Sequence, residues 1–319
     1  MNKKKITVIA VAACVLLLAF CGYFGIKGYL DARGNNDKIV FTIKDTLPDG
    51  NGKKVRVILL GGQSNASGCS LDEYLKQNVS EEKYAEYQSG YDNVYINYLA
   101  GTNMSEEFVK CSTLQGELEG AFGPELGLAE HLSEAYPDQF FVIIKCAWGG
   151  TNLYEQWLSP SARGKTGSLY KQFVRFVNTS LDYLEDKNYD VSVEAMCWMQ
   201  GESDSFLVES AKGYADNLNR FIEDIRDEFS DYASKDGIAF IDAYIADNPM
   251  YWVYCDDVNA GKREVARLSD NNFLVDTIAE GLTCSEEPTG TPDLAHYDSM
   301  SQILLGRLFG IAASQYFDD

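Results

Sequence analysis

The sequence predicts an α/β domain built on a central parallel sheet with helices covering both faces, and three observations carry that expectation. Short strand-like runs are apolar on both faces, as strands buried on two sides must be. They alternate with stretches whose apolar residues recur near the helical period, the pattern of crossover connections between parallel strands. Polar, glycine-containing loops follow the first, third and fourth runs as GGQSNA, AWGGTN and MQGESD. Ligands bind open parallel sheets beyond the carboxyl ends of the strands, so these loops share the edge where chemistry belongs.

The strands are expected at residues 55–60, 94–98, 140–146, 192–198 and 238–242, and a further short one near 39–43. Helices are expected over 124–135, 168–185 and 212–229. The stripe Leu169, Phe173, Phe176, Val177 and Leu181 supports the second, and Leu218, Phe221, Ile222 and Ile225 the third. Ahead of this domain, MNKKK precedes an uncharged apolar stretch over 6–26, long enough to cross a bilayer as a helix. Lysines on its N-terminal side favour keeping that end in the cytoplasm, which places the rest outside a cell membrane. The expected organisation is therefore an anchor or signal segment over 1–28, a polar linker over 29–54 and the α/β domain over 55–319. An uncleaved membrane anchor is favoured, with a lipid-modified Cys21 as the lesser alternative, and a bacterial cell surface is the expected setting.

Charge and cysteines narrow the function. The 319-residue chain carries a formal net charge of −21, which repels phosphate backbones and excludes nucleic acid as a partner. No CxxC occurs and there are two histidines, so a metal site has little support and no cofactor is expected. Cys146 and Cys197 lie in strand-like runs as buried thiols. Cys69 with Cys111, and Cys255 with Cys284, are the better candidates for disulfides in an exported domain.

Ser64 follows the first strand, either as a turn residue capping a helix or as a nucleophile, and the second role needs a base. His131 sits within an amphipathic helix and reads as a surface residue. His296 lies in a polar loop before the C-terminal helix, three residues after Asp293, close enough for that carboxylate to orient the imidazole. Ser299 and Gln302 form a capping box for that helix, with Asp298 a second capping candidate. Backbone N–H groups at Gly149 or Gly150 and the Gln200 amide are candidate donors to a developing oxyanion. Gln63, Asn65, Trp148, Trp157 and Glu202 are candidate substrate contacts, the tryptophans as faces for a sugar ring.

Five segments, GQSNASG at 62–68, FGPELG at 122–127, KCAWGGTNL at 145–153, WMQGESD at 198–204 and DLAHYD at 293–298, make the chain resemble the SGNH hydrolase superfamily, within it the sialate O-acetylesterase and carbohydrate esterase family six type. That resemblance implies a flavodoxin-like three-layer αβα sandwich and metal-free hydrolysis of acetyl esters on carbohydrates. It makes Ser64 the nucleophile, His296 the acid/base, Asp293 its orienting acid, and Ser64, a glycine and Gln200 the oxyanion donors. Two alternatives stand beside it: an esterase or lipase for longer acyl chains, and a surface carbohydrate-binding protein without catalysis. The segments 69–92 and 102–120 are longer than minimal connections and flank the site.

Overall fold

The computed structural model describes residues 40–317. The anchor expected over 6–26 lies outside them. No helix among the described residues is long and apolar enough to cross a membrane. The strand expected near 39–43 is not formed over 40–43. Instead the segment straps onto a helix, with Phe41 edge-on to Phe176 and the Leu47 N–H donating to the Tyr183 hydroxyl.

In chain order the domain begins with β1 (Lys54–Gly62), the four-residue α1 (Ser64–Ser67), β2 (Ser70–Leu71), α2 (Asp72–Asn78) and α3 (Glu81–Ser89). Next come β3 (Val94–Ala100), β4 (Asn103–Met104), β5 (Val109–Lys110), β6 (Ala121–Phe122), α4 (Glu125–Ala135) and β7 (Phe141–Ala147). The second half runs through α5 (Ser168–Asp186), β8 (Asp190–Met199), α6 (Val208–Lys212), α7 (Tyr214–Glu228), β9 (Ala239–Ala243), α8 (Cys255–Ala266), β10 (Asn272–Val275) and α9 (Ser299–Ser314).

The main sheet has the order β10-β9-β8-β1-β7-β3-β4. Its first six strands run parallel, and β4 and β5 pair antiparallel with β3. The result is a mixed α/β fold on a mostly parallel sheet. β1 lies at the centre between β7 and β8, which is why Val55 through Leu60 are apolar on both faces apart from Arg56. Arg56 is tolerated because its guanidinium meets the buried Glu194 at 2.7 Å. An unpaired charge there would cost several kcal/mol (about 3–5).

The five expected long strands are all present, and the apolar stripes of α5 and α7 are buried. The helix expected over 212–229 is α7, which begins at Tyr214 and is preceded across Gly213 by the short α6. The six cysteines in the described domain are free thiols, so neither expected disulfide forms. Cys111 is fully buried, with its sulfur 3.4 Å from the Glu125 carbonyl. Cys146 and Cys197 are buried in β7 and β8, as expected.

Candidate active site

β1 ends at Gly62, whose φ of +138° turns the chain out of the sheet. A side chain there would place its first carbon 2.0 Å from the Met199 carbonyl, so only glycine admits the close approach of β8. Gln63 then occupies the cap position of α1, and Ser64 is the first helical residue. Ser64 is therefore not the cap. It is 9% exposed, at the mouth of the edge formed by the carboxyl ends of β1, β7 and β8.

Asn65 ties this turn to the far end of the chain. Its amide donates to the Ala295 carbonyl at 3.2 Å, and its carbonyl oxygen accepts the Tyr297 N–H at 3.0 Å. The two bonds bracket His296. Nearby, Ser70 Oγ donates to the Tyr297 carbonyl at 2.6 Å, and Gln302 Nε2 donates to the Asn65 carbonyl at 2.7 Å. A loop some 230 residues downstream is thus fastened beside Ser64 by polar bonds on both sides of the imidazole.

His296 Nδ1 lies 2.6 Å from Asp293 Oδ2, and the other Asp293 oxygen accepts the Ala295 N–H at 2.9 Å. The imidazole is 23% exposed. Burial favours the neutral ring, but the Cys69 sulfur and the Asp293 carboxylate beside it prevail, and the His296 pKa is raised well above its ordinary value. Burial would likewise push Asp293 up, yet its bond to His296 and the charge of that ring hold the carboxyl below the usual range.

Gln200, expected as an oxyanion donor, is fully buried and its amide is already committed. Nε2 lies 2.6 Å from Asp204 Oδ2, 3.0 Å from the Thr151 carbonyl and 3.2 Å from Gln63 Oε1. Gln63 Oε1 also accepts the N–H groups of Gly201 and Ser203 at 3.3 and 3.1 Å. With its carbonyl so anchored, Gln63 keeps its own Nε2 without an acceptor among the described residues. Asp204 gathers the loops after β7 and β8, accepting from the Leu153 and Tyr154 N–H groups at 2.8 and 3.1 Å. Burial raises its carboxyl to about 6 against those donors.

The two glycines separate. Gly149 N–H donates to Glu117 Oε2 at 2.8 Å, and Ser67 Oγ donates to the same oxygen at 2.5 Å. The Glu117 N–H in turn donates to the Gly68 carbonyl at 2.8 Å. Gly150, with φ of +68°, has no acceptor for its N–H among the described residues. Glu117 comes from the long segment 102–120 and was not among the sequence candidates. No local motif marks it, because its partners arrive from two other loops.

Glu202 is 1% exposed and binds Asn65 Nδ2 at 2.8 Å, so it supports the asparagine from beneath and does not face a substrate. Burial raises its pKa, and its second oxygen has no partner among the described residues. The tryptophans are also core residues. Trp157 is fully buried, packed edge-on to Trp198 with its indole N–H on Thr151, and Trp148 is 7% exposed. Neither offers a face to a sugar. The expected capping box is absent: Ser299 donates to Glu287, Gln302 reaches Asn65, and Asp298 occupies the cap position while its carboxylate holds Thr283 and Glu287. His131 stays in α4, 3.1 Å from Ser314.

A parallel sheet that brings a serine turn, a carboxylate-backed imidazole and a free glycine N–H to one edge has the layout of a serine esterase. The chain belongs to the family described as carbohydrate esterase, sialic acid-specific acetylesterase, whose model matches residues 54–315. This agrees with the resemblance read from the five motifs.

Among solved structures, a protein from Arabidopsis thaliana superposes with a TM-score of 0.59 at 19% identity, covering 85% of this chain and all (100%) of that one. NanS gives 0.57 at 16% identity, covering 85% and 98%. A carbohydrate acetylesterase from Xanthomonas citri gives 0.53 at 14% identity, covering 82% of this chain and 56% of that one. At such identities the likeness is one of fold. No curated protein matches the chain by sequence.

Proposed function

We propose that this protein is a serine hydrolase that removes O-acetyl groups from carbohydrates by two-step acyl transfer, on a three-layer αβα frame. The observation that carries the reading is the double clamp of Asn65 on Ala295 and Tyr297. It holds the Asp293-backed imidazole against the turn that bears Ser64. Family membership supports the substrate class.

In this mechanism His296 removes the Ser64 proton and Ser64 attacks the acetyl carbonyl. Asp293 orients the ring and stabilises the imidazolium that forms. The Ser64 N–H, the Gly150 N–H and the free amide of Gln63 are the donors available to the oxyanion, with Gln200 fixing Gln63 from behind. His296 then protonates the departing sugar hydroxyl, and water releases acetate from the acetyl-enzyme.

The apolar stretch over 6–26 supports an anchored domain outside a cell membrane. Ser64→Ala should abolish acetate release from acetylated sugars while the circular dichroism spectrum and melting temperature stay near those of the parent. Near-parental turnover by that variant would overturn the assignment.

A further inference from the structure

We propose that an exposed apolar rim beside the site, formed by Tyr154, Phe206, Leu207, Met250 and Val253, is a platform for a neutral oligosaccharide. The acetyl ester is then presented on a glycan chain and not on a free acidic sugar. The proposal rests on the deacetylase reading above and specifies its substrate.

Three loops at the carboxyl ends of β7, β8 and β9 build the rim. Tyr154 is 45% exposed, Phe206 41%, Leu207 64%, Val253 56% and Met250 94%. Large apolar side chains grouped at such exposure are informative, where scattered ones are not. The loops are joined by bonds that do not involve these side chains. Asp204 holds the Leu153 and Tyr154 N–H groups, and the Tyr254 N–H donates to the Ser205 carbonyl at 2.9 Å. The Phe206 ring rests on the buried Trp252 ring, 5.3 Å away, which fixes its position at the surface. The exposed rings of Tyr154 and Phe206 suit the apolar faces of sugar units.

Continuity with the catalytic edge decides the occupant. Ser203, whose N–H holds Gln63 beside Ser64, is three residues from Phe206, about 10 Å of backbone at most. A platform at that remove meets the sugar units next to the acetylated one. Charge selects a neutral chain. Glu117 and Asp293 lie at this edge, while Lys145 and Lys262 are fully buried and paired with Glu125 and Asp242. Neither lysine is available to a substrate carboxylate.

The test measures kcat/KM on p-nitrophenyl acetate, a methyl mono-O-acetyl xyloside, O-acetylated xylo-oligosaccharides of increasing length, and O-acetylated N-acetylneuraminic acid. Efficiency should climb with oligosaccharide length. Phe206→Ala and Tyr154→Ala should each lower it about fivefold on the longer chains, chiefly through KM, and leave p-nitrophenyl acetate unchanged. Indifference to length, equal losses on every ester, or faster turnover of the free acidic sugar would overturn the platform and leave the deacetylase reading standing. So would a dimer that dissociates in the two variants, since a second copy would then be what covers the rim. Release of acetate from p-nitrophenyl acetate but from no sugar would overturn both.

Discussion

His296 and Asp293 have pKa values displaced in opposite directions: against burial, the Cys69 sulfur and the Asp293 carboxylate raise the imidazole, and the bond to His296 lowers the carboxyl. The imidazole must be neutral to take the Ser64 proton, so kcat/KM should fall as pH drops through the raised His296 pKa. The acid limb is therefore expected above the ordinary histidine value of 6.5. Asp293→Asn removes the carboxylate that favours the imidazolium, so that limb should move to lower pH. The maximal rate should also fall, by roughly 10²- to 10⁴-fold and less than for Ser64→Ala, because ring orientation is only part of the catalytic effect. A pH–rate profile of the two proteins checks both points. An acid limb that stays in place would show that Asp293 does not set the protonation of His296.

At the scale of elements, Glu117 is where the long segment 102–120 acts on the site. One carboxylate oxygen binds both Ser67, at the end of α1, and Gly149, in the loop after β7. That geometry fixes the serine turn relative to the glycine loop. Side chains on Gly149 or Gly101 would run into the carboxylate, so the glycines are shaped to admit it. Glu117→Gln keeps an acceptor oxygen in the same place and should retain most of the rate. Glu117→Ala leaves Gly149 unheld and should lower kcat about 10-fold or more with KM little changed, as loss of donor alignment does. Equal activity in all three proteins would sink this role.

The same scale shows what the sequence could convey. The parallel sheet was legible because two-sided burial forces continuous apolar runs, and the edge was legible because β1, β7 and β8 end in glycine loops. α8 was not legible, since its buried face uses Cys255, Asn259 and Lys262 along with Val258 and Val265. β10 is a four-residue strand next to β9 at the sheet's end and carries little pattern. Asp293 and His296 were readable as a local pair, whereas Glu117, Gln63 and the rim depend on contacts between loops far apart in sequence. Trp157 illustrates the opposite difficulty: its position after a glycine loop resembles a binding residue, and only the packing against Trp198 shows it to be core.

For the whole molecule the dominant quantity is charge. Asp and Glu number 48 against 27 Lys and Arg, so 21 acids have no cation to offset them. Two effects of salt then oppose each other. Screening weakens surface ion pairs such as Arg307 with Glu134, but exposed pairs contribute only about 0–1 kcal/mol each. Screening also relieves repulsion among the surplus carboxylates, which acts over the entire surface once the Debye length shrinks to about 10 Å. The second effect should prevail, raising the melting temperature by about 2–4 °C between 10 and about 200 mM sodium chloride, the shift expected for roughly 1 kcal/mol in a domain of this size. A scanning-calorimetry series checks this, and a flat or falling trend would mean that the ion pairs govern instead. The same field bears on substrate choice. A neutral ester feels no net pull, so its kcat/KM should stay nearly constant across that series, whereas an acidic acetylated sugar is repelled and should gain as salt is added.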